Sequence, residues 1–145
     1  MPTWLKVVLI VLAVIVLGLG ALGAIGWGIY AWWQKEGSGL IATIDEGKAF
    51  GADKDRTACV NEAVARIKRE GGFTGAVKVR LFFDECLKAA KPVAGFCDNV
   101  PAPSSILKSA TWLDEMNQKY GLTGIYEKDL LAEIQKTCEA DASRR

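Results

Sequence analysis

Residues 5–33 read LKVVLIVLAVIVLGLGALGAIGWGIYAWW, and Lys6 is their only charge. Residues 7–26 form an uninterrupted apolar run of about 20, enough to cross a ~30 Å hydrocarbon core at a rise of 1.5 Å per residue. Trp4 stands before the run; Trp27, Tyr30, Trp32 and Trp33 follow it. Aromatic rings placed at both ends are the pattern of a membrane–water interface. Lys6 has a stem long enough to reach headgroups. The alternative is a cleaved signal peptide, but the apolar part of such a peptide typically spans ~7–15 residues. The stretch therefore predicts an uncleaved transmembrane anchor over residues 1–36.

Within that stretch Gly20, Ala24 and Gly28 stand four apart. On a helix they fall within about 80° of one face. Small residues at this spacing let two helix backbones approach in lipid, where apolar side chains gain little by leaving apolar tails. The three residues are the candidate packing seam, with a heterologous helix favoured over a homodimer. Trp4, Trp27, Tyr30, Trp32 and Trp33 are the candidate interface residues.

The rest of the chain is the size of one ordinary domain, roughly a hundred residues. Across all 145 residues, Lys and Arg total 18 and Asp and Glu total 17. This balance argues against nucleic acid as a partner. The chain has no histidine. That removes Ser-His-Asp and Cys-His catalysis and histidine metal ligands. Gly47-Lys48 lacks the following Ser/Thr of a phosphate loop, since residue 49 is Ala.

Cys59, Cys86, Cys97 and Cys138 all lie beyond the anchor, and no two form Cys-x-x-Cys. Zinc ribbons and thioredoxin-type sites are disfavoured. An even, dispersed set behind an anchor points to disulfides in an oxidising compartment. The expected topology is then a cytoplasmic N-terminus and a periplasmic or otherwise extracytoplasmic domain.

Residues 37–52 read as a linker with a short juxtamembrane helix, capped by Ser38 and ended by Gly47 or Gly51. Residues 53–145 read as four helices. The first spans 53–69, capped by Asp53 or Asp55 and stopped by Gly71-Gly72. The second spans 74–90 and stops before Pro92. A proline-bearing loop covers 91–104. The third helix starts after Ser104 or Ser105 and ends at Gly121, and the fourth covers 127–140. Apolar residues recur at helical spacing in each, and no segment alternates as a strand would. The predicted fold is all-α: a single N-terminal transmembrane helix followed by a four-helix, disulfide-stapled bundle.

If the first two helices form a hairpin turning at Gly72-Phe73, Cys59 and Cys86 are equidistant from the turn. In a second hairpin Cys97 and Cys138 lie at the same end. The expected pairs are Cys59–Cys86 and Cys97–Cys138.

Asp84-Glu85 and Asp114-Glu115 are adjacent acids. Neighbours on a helix project about 100° apart, which suits them poorly for one catalytic site. No cofactor, metal or catalytic set is expected, and the chain reads as a non-enzyme. The expected function is an accessory or interaction subunit of a membrane complex. The alternative is a membrane-tethered ligand-binding or envelope-sensing module, with a cleft between helices gated by the 91–104 loop.

Overall fold

The computed structural model describes residues 2–144, without the side chains of Thr3, Lys6, Glu36 and Ser38. The expected snorkelling of Lys6 and the Ser38 cap thus lie outside the described residues. The chain divides into two compact units, Met1–Gly39 and Leu40–Arg145. Among the described residues the structure is all-helical, with no strand.

The first unit is α1 (Thr3–Trp32) and a π-helical turn (Trp33–Gly37). It holds a helix long and apolar enough to cross a membrane. Residues 7–35 are all exposed. The Trp27 and Tyr30 rings lie tilted to one another with centres 6.2 Å apart, and Gln34 Nε2 donates to the Tyr30 hydroxyl at 2.7 Å. Gly37 is buried against the Trp33 ring: a Cβ there would stand 3.1 Å from Cδ2.

The second unit carries α2 (Ser38–Asp53), α3 (Arg56–Glu70), α4 (Gly72–Ala89), α5 (Ile106–Tyr120) and α6 (Ala132–Ser143). Asp55 caps α3 by accepting from Ala58 N–H at 2.8 Å. The α3–α4 turn uses Gly71 and Gly72 at φ 55° and 66°, which side-chain-bearing residues rarely adopt. α5 stops at Gly121 in the left-handed conformation. The core is built mainly from α3 and α4, with Val60, Ile67, Phe82, Phe83 and Leu87 buried, and Leu131 and Ile134 close it from the α6 side.

Two segments differ from expectation. Residues 37–52 hold the expected juxtamembrane helix, but it is longer than expected: α2 runs through both glycines to Asp53, and residues from Leu40 onward belong to the compact unit. The compact unit therefore holds this helix together with the four in residues 53–145. Gly47 and Gly51 do not end α2; they seat it. A Cβ at Gly47 would lie 2.5 Å from the Phe82 carbonyl oxygen, and one at Gly51 2.5 Å from that of Cys86. The last helix starts at Ala132 rather than 127. Glu127 is diverted: its carboxylate accepts from the N–H groups of Thr123 and Gly124 at 3.1 and 3.0 Å. Residues 124–131 form turns instead, and bury Leu130 and Leu131 all the same.

Arg66 joins three helices. It donates to Glu62 on its own helix at 2.8 Å and to Glu46 on α2 at 2.7 Å, and lies 3.8 Å from the centre of the Phe82 ring on α4. The hydrogen bond from Arg66 holds the Glu46 carboxyl below its ordinary range. A depressed folded pKa adds stability above the unfolded value, ~4.3, and that stability is lost as pH falls through the folded one. Glu46 is 55% exposed, so the contribution is at most ~1 kcal/mol. Between pH 7 and pH 3, Glu46→Gln is expected to lose less of its urea midpoint than the parent chain. Equal losses would remove this pair as a cause.

Candidate functional site

The disulfides join Cys59 to Cys86 and Cys97 to Cys138, the pairs given by hairpin geometry, with Cα atoms 5.8 and 5.5 Å apart. Bridging demands a closer approach than ordinary helix packing. Ala63, one turn along α3 from Cys59 and fully buried, permits it. Cys86 therefore has α3 bonded to its side chain and α2 resting on its backbone. The second bridge ties the 91–105 loop to α6.

Polar groups fix α6 in place. Glu133, buried, accepts from Arg80 on α4 at 2.5 Å and from Lys136 at 3.0 Å. Arg56 at the start of α3 pairs with Asp141 near the end of α6. Ser109 and Gln135 exchange hydrogen bonds between α5 and α6, and Gln135 also donates to Pro101 O at 3.2 Å.

The adjacent acids are engaged on the surface. Asp84 and Glu85 both accept from Lys88, at 2.7 and 3.0 Å, and raise its pKa, Asp84 the more strongly. Asp114 accepts from Gln118. The structure does not bring the two acid pairs together. Among the described residues no cluster of three or more potential metal ligands forms.

A cleft of about 200 Å³ does lie where the loop meets α5, lined by Phe96, Asp98, Val100, Trp112 and Met116 with Val60 beneath. A second recess, of about 160 Å³, sits between α4 and the 121–131 segment. Phe73, Val77 and Arg80 line it on one side, Ile125 and Tyr126 on the other.

Gly20, Ala24 and Gly28 lie on α1, and all three are exposed. A Cβ at either glycine would meet nothing within 4 Å. Trp4, Trp27, Tyr30, Trp32 and Trp33 are exposed as well. Sequence reasoning missed the second glycine pair. Its signal was available: Gly47 and Gly51 repeat the four-residue spacing seen in α1. It also missed the exposed cluster of Phe73, Ile125 and Tyr126, whose members are far apart in the chain.

Comparison with protein-family models, curated proteins and solved structures returns no match.

Proposed function

We propose that this protein is a single-pass, membrane-anchored accessory subunit. In this reading α1 spans the bilayer and packs in a larger membrane complex, and the stapled domain docks on extracytoplasmic parts of that complex. The observation that carries it is the seam on α1. Gly20, Ala24 and Gly28 stand at the four-residue spacing that the same chain uses in α2 to press one helix onto another backbone. Both disulfides lie in the unit beyond the anchor, which supports an N-terminus in the cytoplasm and a domain in the periplasm or an equivalent oxidising space. The four-helix bundle is then α3–α6, with α2 packed against it through Gly47 and Gly51.

The test is Gly20→Leu combined with Ala24→Leu. Insertion and domain folding are expected to persist, because both residues lie outside the unit that holds the core. Copurification with partner subunits in mild detergent is expected to fall sharply. Retention of every partner at the parent yield would sink the seam.

The second reading is a membrane-tethered ligand-binding or envelope-sensing module. The cleft under the 91–105 loop favours it. A further recess of about 430 Å³ lies between the same loop and α6, within the ~300–1,000 Å³ of common small-molecule sites, but Asp98, Glu139 and Asp141 line it with no aromatic side chain, unlike the mainly apolar lining of such sites, which places this reading second.

A further inference from the structure

α2 and α4 run parallel in register. Gly47 faces Phe82 and Gly51 faces Cys86, so Leu40 at the start of the unit is level with Gly75, in the first turn of α4. The α3–α4 turn and Phe73 therefore sit at the end of the unit where the chain arrives from the anchor. The 121–131 segment is at that end too. A Cβ at Gly121 would lie 3.5 Å from Lys68 Nζ in the last turn of α3, and the Tyr126 ring packs edge-on to Phe73 at 5.8 Å. Phe73, Ile125 and Tyr126 are 65%, 76% and 47% exposed. They form an apolar cap on this end, around the recess that Val77 and Arg80 also line.

We infer that this cap rests in the headgroup layer of the bilayer that holds α1. The inference depends on the anchor reading above. The occupant follows from chain reach. From Trp33 to Leu40 the chain spans at most ~25 Å even when extended. With Trp32 and Trp33 at the interface, the end bearing the cap is held close to that surface. The cap chemistry suits it: one tyrosine and two large apolar side chains belong to the apolar–polar boundary. Lys68 and Arg69 at the end of α3 are offset by Glu70, Glu127 and Asp129, so the cap requires no anionic lipid. Leu107 provides an internal contrast. It is 84% exposed but stands at the opposite end, beside Pro101.

The test uses the full chain in phosphatidylcholine vesicles. The described cysteines are all bridged, so one added thiol takes a fluorophore selectively. Labels are placed singly at Thr74→Cys beside the cap, at Leu107→Cys, and at Leu17→Cys in α1. The label at 74 is expected to be quenched by shallow nitroxide lipids and to be several-fold less accessible to iodide than the label at 107. Replacing Phe73, Ile125 and Tyr126 by serine is expected to restore iodide access at 74. Equal iodide access at 74 and 107, with 17 quenched by deep nitroxide lipids, would overturn the cap while leaving the anchor standing. Shielding of 74 from iodide and nitroxide lipid alike would assign the cap to a protein and overturn the inference. A label at 17 unreached by lipid quenchers would overturn the anchor, and the cap with it.

Discussion

Gly51→Leu is expected to detach α2 from the domain while leaving the bridged α3–α4 pair folded. Even the first carbon of a side chain at this position would stand 2.5 Å from the Cys86 carbonyl oxygen, 3.1 Å from its Cα and 3.0 Å from the Ala89 Cβ. A flexible neighbour could turn aside, but a helix backbone cannot. Ordinary overpacking of a core costs about 1–3 kcal/mol. Here the obstacle is main chain on the helix that also carries the buried disulfide, so the loss is expected above that range. Gly51→Ala should already show most of it, since the clash begins at Cβ. Hydrogen exchange of the full chain in detergent is the direct measurement. Amides of α2 should lose protection while those of residues 59–67 and 79–87 keep theirs. Gly39→Ala, where a Cβ meets nothing within 4 Å, should be neutral or slightly stabilising. Protection of α2 unchanged in Gly51→Leu would show that the glycines are not what seats it.

Removal of both disulfides is expected to unfold the domain at 37 °C. The bridges close loops with sequence separations of 27 and 41 residues. In the chain-entropy description each such loop is worth ~3.5–4 kcal/mol. Their sum is comparable with the whole stability of a small domain, about 5–15 kcal/mol. The two bridges should differ in kind. Cys59 and Cys86 are fully buried at the centre of the core, so replacing both with alanine also leaves a void. The Cys97–Cys138 bridge lies beside the loop, with Cys138 half-buried, and its loss should free the 91–105 loop and the end of α6 first. Urea midpoints of the two alanine pairs, and limited proteolysis of each, separate these outcomes. A reduced chain with the midpoint of the oxidised one would contradict the argument.

How legible each part was depended on how local its cause is. The long apolar helix needed only a run of side chains and a length. The Cys59–Cys86 bridge needed one turn, marked by two adjacent glycines, and the symmetry of a hairpin about it. The start of α3 and the end of α5 followed from Asp55 and Gly121, each acting within one helical turn. The end of α2 was misplaced because glycine in a helix carries a propensity cost and reads as punctuation. What offsets that cost is the backbone of α4, which is more than thirty residues away in sequence. The start of α6 was misread for a different reason. A glutamate before an apolar run suits a helix N-terminus, but it serves equally well to receive the N–H groups of a preceding turn. Glu127 takes the second role, and residue type alone does not distinguish them. The apolar cap was invisible in the sequence because Phe73 and Tyr126 meet only once the 121–131 segment has packed against the start of α4.

The glycine seating of α2 also sets how the domain bears tension. For a pull through Leu40 directed along the axis of α2, α4 lies parallel to the load. The load slides one helix past the other instead of peeling them apart turn by turn, so the contacts at Gly47 and Gly51 resist together. At Gly51 the load reaches Cys86 directly, and from there it passes through a covalent bond to Cys59 on α3. Drag on the domain is thereby carried across the interior by a close-fitted joint backed by a sulfur link, and the turns at 121–131 and the 91–105 loop lie off that line of force.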